Sequence, residues 1–220
     1  MARQLERFRE AIAAGMPRVG WKIGINDPAA QERIGLSAPI VGWIDGRRLF
    51  QQGQAYVPGA GAIPRIETEV AVRLTRDVSA GAGFDVARAA IDSIAPAIEF
   101  VNGAKPLTPL DEMLAHDILH DAVMFGEDAP LDAALGLVAN GFPAVRHNGQ
   151  LIRTGIAGRY PEDLAEIVAH TADVLAAAGE SLRAGDRIIC GSYIDPFAVA
   201  AGDTVEADFG PLGTISFTVA

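Results

Sequence analysis

Three glutamates in two apolar segments are the residues of this chain whose spacing points most directly to chemistry. Glu67 and Glu69 lie in the run 66–70 (Ile-Glu-Thr-Glu-Val), and Glu99 lies in the run 96–100 (Pro-Ala-Ile-Glu-Phe). Both runs are apolar and partly β-branched, which is typical of strands. Because residues two apart on a strand point to the same face, we expect Glu67 and Glu69 to project side by side.

The surroundings of these glutamates favour a bound cation. Adjacent carboxylates repel each other unless a positive charge lies between them or one stays protonated. Glu99 has mostly apolar neighbours over 94–101, where a lone charge is costly to bury. If the two strands are neighbours, three hard oxygen donors converge and predict a divalent cation such as Mg²⁺. The alternative is that each glutamate faces water on a half-exposed antiparallel strand, and residue chemistry alone leaves both interpretations open.

The composition of the chain limits its class and its partners. The 220 residues are 50% hydrophobic and 21% charged, which is typical of a soluble globular protein of one large domain or two small ones. The net charge of −10 argues against nucleic acid or an anionic membrane as partner. An anionic substrate would therefore need local help from a metal, a lysine or an arginine.

The cysteine count and the N-terminus predict a cytoplasmic protein. Cys190 is the only cysteine, so no intrachain disulfide is expected, and a reducing compartment fits. No apolar run reaches membrane-spanning length. The segment 1–14 has an amphipathic pattern with charges spread along it, unlike a signal peptide.

Periodicity and turn residues predict a β-rich α+β fold, with an N-terminal helical segment at 1–17 and a single catalytic domain at 18–220. Helices are predicted at 3–14, 28–35, 85–93, 110–120 and 161–178. Strands are predicted at 19–25, 40–44, 48–50, 63–77, 94–101, 122–125, 135–139, 144–146 and 150–153, and in the tail 187–220. The glycines at 20–24 lack the spacing of a phosphate-binding loop, which argues against nucleotide binding.

A series of short motifs runs along the chain: Lys22-Ile-Gly, Pro39-Ile-Val-Gly, Glu67-Thr-Glu, Pro96-Ala-Ile-Glu, Asn148-Gly, Ala184-Gly-Asp, Gly191-Ser and Ala201-Gly-Asp. This series resembles the 2-keto-4-pentenoate hydratase / 4-oxalocrotonate decarboxylase family of the fumarylacetoacetate hydrolase superfamily. Each motif is weak alone, but their number, order and spacing make the resemblance specific from about residue 19 onward. It implies a mixed β-roll of the fumarylacetoacetase C-terminal-domain type with peripheral helices.

The same resemblance implies a site and a reaction. Glu67, Glu69 and Glu99 would ligate Mg²⁺ or Mn²⁺, and Lys22 would lie near the carboxylate and keto group of the substrate. A 2-oxo acid can chelate a divalent cation through those two groups, which makes proton removal beside the keto group easier. The implied activity is that of a metal-dependent lyase, a hydratase or a decarboxylase. Its substrate would be a small anionic 2-oxo acid or its dienol, as in aromatic meta-cleavage catabolism.

Two departures from the family pattern concern proton transfer. Hydratases usually carry an aspartate directly after the proline of the Pro-x-x-Gly segment, whereas this chain has Ile40. The family's Ala-Asp-Asn stretch aligns with residues 115–117, so His116 stands at its middle position. His116 and His120 are four apart on the predicted helix and are candidates for a proton-transfer pair, or else ordinary helix residues. Ser192 is either a substrate-binding residue of the pocket or part of a turn.

Two other functions stay open at this point. One is hydrolysis of a carbon–carbon bond in an acylpyruvate, with His116 or His120 as general base. The other is a catalytically silent partner subunit that keeps the metal site, an idea prompted by Ile40 and by the short segment before Lys22. A small domain rich in sheet edges also predicts a homo-oligomer, because association covers the edges.

Overall fold

The computed structural model of the protein describes residues 1–105, 108–134, 136–157 and 163–220. These ranges contain helices α1 (Ala2–Ala13), α2 (Pro28–Arg33), α3 (Phe84–Arg88), α4 (Leu110–Ala115) and α5 (Leu164–Ala177). The first eight strands are β1 (Arg18–Gly24), β2 (Ile40–Asp45), β3 (Leu49–Phe50), β4 (Pro64–Leu74), β5 (Ile91–Asn102), β6 (His120–Phe125), β7 (Ala144–His147) and β8 (Gln150–Thr154). The last four are β9 (Arg187–Ile189), β10 (Phe197–Ala198), β11 (Thr204–Asp208) and β12 (Thr214–Thr218).

The strands form two sheets. The larger has the order β2-β1-β9-β4-β5-β6-β3, with β10 paired to β4, and the smaller has the order β12-β11-β7-β8. The β1/β9 and β3/β6 pairs are parallel and the other pairs are antiparallel, so the larger sheet is mixed. The predicted β-rich α+β class is therefore confirmed. Among the described residues, each helix lacks the length and apolarity that a membrane crossing needs.

Aromatic side chains join the two sheets into one core. Phe100 of β5 stacks on Tyr56 with ring centroids 3.8 Å apart, and it meets the ring of Phe217 from β12 at 5.0 Å. All three are buried, so this contact closes the space between the sheets and fixes the middle of β5.

Helix α1 packs against the edge of the larger sheet. Leu5 and Phe8 are buried on its inner face, and the Phe8 ring lies 4.9 Å from that of Trp21 and 5.9 Å from that of Trp43. These contacts belong to the same hydrophobic cluster as the rest of the core. The residues before β1 are thus held in place beside β1 and β2.

Four sequence predictions of elements need correction or lie partly outside the description. The helix predicted at 85–93 ends at Arg88, and residues 91–93 already belong to β5. The segment predicted as a strand at 135–139 contains a 3₁₀ turn at Val138–Asn140, and residue 135 lies outside the described residues. The helix predicted at 110–120 ends at Ala115. Of the helix predicted at 161–178, positions 161 and 162 lie outside the described residues, and Asp163 caps a helix that begins at Leu164.

Candidate metal centre

The three glutamates meet at the middle of the larger sheet. Strands β4 and β5 pair in antiparallel register with Glu67 directly opposite Glu99, and Glu69 follows Glu67 on the same face. One carboxylate oxygen from each residue lies within 4.8 Å of the other two. Glu69 and Glu99 are fully buried, whereas Glu67 is half-buried. The structure therefore brings Glu67, Glu69 and Glu99 together, as expected if their two strands are neighbours.

The electrostatics of this triad suit a cation. Burial, reinforced by the repulsion of Glu99 and Glu67, raises the pKa of Glu69 well above its ordinary value. Oε1 of Glu69 and Oε2 of Glu99 are buried without a hydrogen-bond partner in the described structure. Unpaired anionic oxygens in a closed site are costly, and hard oxygen donors are the ligands that Mg²⁺ and Mn²⁺ prefer. The residues present thus fit a divalent cation.

Lys22 supplies the positive charge beside the triad. It lies on β1, is 2% exposed, and its Nζ donates hydrogen bonds to Oε1 of Glu99 and, at 3.1 Å, to the carbonyl of Ile118. Burial alone would lower the pKa of Lys22, but Glu99 and Glu67 outweigh that effect and raise it, so the ammonium stays charged. Gly42 lies opposite on β2, where a Cβ atom would stand 2.8 Å from Cγ of Lys22. The lack of a side chain at Gly42 therefore leaves room for the side chain of Lys22.

His120 is the second residue that contacts Glu99. Its Nδ1 lies 2.7 Å from Oε1 of Glu99, and its Nε2 is buried without a partner in the described structure. Burial would raise the pKa of Glu99, but Lys22 and His120 together lower it. Oε1 of Glu99 is thus held by the protein, while the buried Oε2 has no hydrogen-bond partner in the described structure.

The two histidines do not share a helix face, which corrects the sequence expectation. Helix α4 ends at Ala115, and the next helical turn is broken by three successive residues in the left-handed region, with φ of 51° at Asp117, 51° at Ile118 and 65° at Leu119. Left-handed backbone is rare for a β-branched residue such as Ile118. His116 therefore caps α4 while His120 opens β6, although both line one cavity.

Asp117 is a site residue that the sequence did not single out. It is buried, and its Oδ1 accepts hydrogen bonds from Nε2 of Gln4 at 2.7 Å and from the backbone N–H of Trp43 at 3.0 Å. Burial raises the pKa of Asp117 to about 6. No local signal points to Asp117, because its partner Gln4 lies 113 positions away along the chain.

Ser192 lies in a turn whose backbone, rather than its hydroxyl, reaches the triad. Its Oγ donates a 3.0 Å hydrogen bond to the carbonyl of Ile194. The preceding residue, Gly191, has φ of 99° and donates its N–H to Oε2 of Glu69 at 2.6 Å. A substrate-binding role for Ser192 stays a prediction.

A small cavity of about 70 Å³ adjoins the triad. Its walls include Lys22, Asn26, Glu67, Val101, Met113 and Ile118. Val101, Met113 and Ile118 belong to a separate hydrophobic cluster, and half-buried Ile40 packs against that cluster. One side of the site is therefore charged and the other is apolar.

Replacing Asp117 by Asn is expected to stabilise the protein above pH 6. Because the pKa of Asp117 is raised from 3.8 to about 6, the folded state binds its proton more tightly than the unfolded state, so this residue lowers the free energy of unfolding progressively between pH 4 and pH 6. The difference corresponds to about 3 kcal/mol once the carboxyl is ionised. Urea denaturation of both proteins should give a gap that widens from pH 4 to pH 6 and then stays constant; a gap independent of pH would contradict it.

The chain is similar to known proteins over most of its length. No family model matches the chain. The chain is 28% identical over 215 residues to 2-hydroxyhexa-2,4-dienoate hydratase of Comamonas testosteroni, covering 96% of this chain and 80% of that protein. It is 30% identical over 158 residues to 2-hydroxypent-2,4-dienoate hydratase of Pseudomonas putida, covering 70% of this chain and 69% of that protein.

Solved structures share the fold. The structure of 4-oxalocrotonate decarboxylase from Pseudomonas putida G7, complexed with magnesium and adipate, superposes with a TM-score of 0.87 at 23% identity and covers 99% of this chain and 83% of that chain. Fumarylpyruvate hydrolase from Pseudomonas aeruginosa, in complex with Mn²⁺ and pyruvate, superposes with a TM-score of 0.72 at 16% identity, covering 93% and 90%. The predicted β-roll type is confirmed. From its identity to these hydratases over most of their length, the chain belongs to the 2-keto-4-pentenoate hydratase / 4-oxalocrotonate decarboxylase family.

Proposed function

We propose that the protein is a divalent-metal-dependent lyase that acts, as a hydratase or a decarboxylase, on a small 2-oxo acid or its dienol. The observation that carries this proposal is the carboxylate triad of β4 and β5 with the buried, charged Lys22 beside it. The names of the relatives, which are hydratases of dienoates, support the same reaction class. A cytoplasmic location and a homo-oligomeric state remain predictions from the sequence.

Glu67, Glu69 and Glu99 would hold the cation, which we propose to be Mg²⁺ or Mn²⁺. When bound, it would polarise the keto oxygen of the substrate and offset the negative charge that develops there. The all-carboxylate donor set favours these hard cations over softer metals. Solved relatives of the same fold carry Mg²⁺ or Mn²⁺, which supports the choice.

Lys22 would bind the carboxylate of the substrate. A lysine ammonium has three donors, so Lys22 can hold a carboxylate while it keeps its bonds to Glu99 and to the carbonyl of Ile118. A fixed positive charge is needed here because the protein as a whole is strongly acidic. The site thus attracts an anion locally against an unfavourable overall charge.

The histidines are the proposed proton-transfer residues. His120 touches Glu99 directly, whereas His116 stands at the end of α4 on the wall of a neighbouring cavity. Ile40, at the position of the usual family aspartate, can neither donate nor accept a proton. We therefore propose that His120 is the main proton-transfer residue and that His116 and Asp117 are secondary candidates.

The apolar wall of the small cavity suggests an uncharged tail on the substrate. Lys22 is the one cation among the described residues that line it, and that charge is assigned to the carboxylate next to the keto group. Val101, Met113 and Ile118 would contact the hydrocarbon end. A second carboxylate in this position would lose hydration without gaining a partner.

The test is turnover by the purified protein with Mg²⁺ or Mn²⁺. We expect 2-hydroxypenta-2,4-dienoate to give the hydrated product, with a higher kcat/KM than a dicarboxylic analogue. Release of CO₂ from the dicarboxylic analogue instead would indicate a decarboxylase. Omission of the metal should abolish the reaction. Cleavage of an acylpyruvate without turnover of the dienoate would replace the lyase with a hydrolase. Metal binding without turnover of either substrate would favour a silent subunit.

The variant Ile40→Asp tests whether the lack of the usual family aspartate at this position limits hydration. If Ile40 is the sole defect in an inherited hydratase site, introducing the carboxylate should increase hydration. Ile40 packs against an apolar cluster, so the variant needs a thermal-unfolding control to show that it folds. If a folded Ile40→Asp protein leaves hydration absent while the wild type splits an acylpyruvate, the lyase proposal is wrong.

A further inference from the structure

The segment Asp117–Leu119, between α4 and β6, has a strained backbone. Its three residues have φ of 51°, 51° and 65°, in the left-handed region that residues other than glycine rarely occupy. The strain is most unusual at Ile118, because its side chain is β-branched. A strained conformation persists only where the surrounding structure holds it. Contacts from other parts of the protein must therefore hold this segment.

Helix α1 supplies two of these contacts. Gln4 is 1% exposed, and its Nε2 donates a 2.7 Å hydrogen bond to Oδ1 of Asp117. The same oxygen accepts the backbone N–H of Trp43, on β2, at 3.0 Å. Arg7, on the next turn of α1, donates to the carbonyl of Ala115, where α4 ends. Helix α1 thus fixes the chain where it enters the left-handed segment.

The apolar packing of α1 does not depend on Gln4. Leu5 and Phe8 are buried on the same helix, and the Phe8 ring lies 4.9 Å from that of Trp21. A buried amide is costly unless it is hydrogen-bonded, and Oε1 of Gln4 has no hydrogen-bond partner in the described structure. An apolar residue would pack here without that cost. The bond to Asp117 is therefore the specific contribution of Gln4.

The same segment contacts Lys22. The carbonyl of Ile118 accepts a 3.1 Å hydrogen bond from Nζ of Lys22, and both residues line the small cavity beside the triad. A Cβ atom at Gly42 would lie 2.8 Å from Cγ of Lys22 and 2.9 Å from Oδ1 of Asp117. The side chains of Lys22 and Asp117 therefore pack over the same glycine.

The carbonyl of Ile118 gives the ammonium of Lys22 a defined direction. An ammonium group has three hydrogens. A single bond to Glu99 would leave the other two free to rotate about that bond, whereas a second bond to the carbonyl of Ile118 stops the rotation. The third N–H then points to one place. In the proposed function, that place is the carboxylate of the substrate.

We propose that Gln4 is a positioning residue for Lys22. Through Asp117 it holds the left-handed segment, so that the carbonyl of Ile118 orients the ammonium toward the substrate carboxylate. This inference rests on the proposed function, in the part that assigns Lys22 to that carboxylate. Gln4 is not among the described residues that line the small cavity, so it acts through its neighbours.

The two lysines of the chain allow a test that needs neither substrate nor metal. Lys22 is 2% exposed and Lys105 is exposed, so brief treatment with N-hydroxysuccinimidyl acetate should acetylate Lys105 much faster. Mass spectrometry of peptides gives the ratio, with Lys105 as the internal reference. Gln4→Met has a similar length but no donor. In this variant we expect the relative labelling of Lys22 to rise roughly threefold to tenfold, as for the loss of one hydrogen bond.

A second measurement follows the substrate carboxylate. The probe is 2-oxopentanoate, a saturated 2-oxo acid that lacks the double bond to which water would add. Calorimetry at saturating Mg²⁺ should show that Gln4→Met binds this acid roughly threefold to tenfold more weakly than the wild type. The affinity for Mg²⁺ itself should stay the same, because Gln4 contacts none of the three glutamates.

Three further variants separate positioning from folding. Leu5→Ala removes a buried apolar side chain from the same turn of α1 and keeps the amide of Gln4, so a folded protein should retain the protection of Lys22. Asp117→Asn keeps Oδ1 as the acceptor and should retain that protection as well. Asp117→Leu removes the acceptor and should lose it. Adding Gln4→Met to Asp117→Leu should then have no further effect.

Distinct results would overturn the inference and the proposed function. Unchanged labelling of Lys22 and unchanged binding of 2-oxopentanoate in a folded Gln4→Met protein would reject the positioning role. An equal effect of Leu5→Ala would also reject it, because α1 would then act only by its packing. A wild type that does not bind 2-oxopentanoate would overturn the proposed function and the part of this inference that concerns substrate. The labelling ratio would still decide whether Gln4 holds Lys22.

Discussion

Glu69→Ala is expected to lower the affinity of the protein for Mg²⁺ and Mn²⁺ at least a hundredfold. The triad provides three anionic ligands, and Glu69 is the member whose charge is least compensated, because Lys22 and His120 both contact Glu99. Loss of one such ligand should cost a few kcal/mol of coordination, and every 1.4 kcal/mol is about a factor of ten in affinity. Isothermal titration calorimetry measures the change.

Two further variants separate ligation from folding. Glu69→Gln keeps an oxygen that can accept the N–H of Gly191, so a loss of affinity there reports the missing charge. Glu206→Ala removes a half-exposed carboxylate on β11 of the smaller sheet, whereas the triad lies in the larger sheet, and it should leave the affinity unchanged. Undiminished affinity in Glu69→Ala would rule out this metal site.

Lys22→Met should raise KM and lower kcat together, by roughly tenfold to a thousandfold overall. The ammonium is a charged contact worth about 1.5–3 kcal/mol to a bound carboxylate, and its loss also leaves Glu99 without its main counter-charge. Methionine has a similar length and fills the buried position. Steady-state kinetics with the dienoate at saturating metal gives both constants.

The controls for Lys22 address stability and charge. Removing one partner of a buried ion pair typically costs about 3–5 kcal/mol, so thermal unfolding must show that Lys22→Met is folded at the assay temperature. Arg33→Met removes one exposed cation at the end of α2 and should leave both constants unchanged. A folded Lys22→Met protein with unchanged KM and kcat would remove Lys22 from the substrate site.

The clustering of the three glutamates could be predicted from sequence because their geometry is local to strands. Because Glu67 and Glu69 are two residues apart, they share one face if their run is a strand. Placing Glu99 beside them requires one further assumption, that its strand pairs with the strand of Glu67 and Glu69. Lys22 has no such local signal. Its assignment came from resemblance to a family, and the open space that admits its side chain depends on Gly42 of the adjacent strand.

The backbone conformation of residues 116–120, which lie beside the triad, could not be predicted in the same way. The helical spacing of His116 and His120 indicates one helix face, but the backbone at Asp117, Ile118 and Leu119 turns left-handed and ends that face. This backbone is held by contacts distant in sequence, such as Gln4 with Asp117 and Lys22 with the carbonyl of Ile118. Such long-range contacts override local propensity, and a pattern within a short window does not contain them.

The position of the triad along the chain has a consequence for the order of folding. Glu67, Glu69 and Glu99 all belong to β4 and β5, which pair directly and lie close in sequence, so their loop closes at a small entropic cost. Within the ladder of paired strands, β1 with its counter-charge connects to that pair through β9, near the C-terminal end of the chain. We therefore expect β4 and β5 to pair, and their carboxylates to approach one another, before β1 is fixed beside them. A divalent cation present at that moment would relieve their repulsion, and would act as a folding cofactor before the protein reaches its native structure.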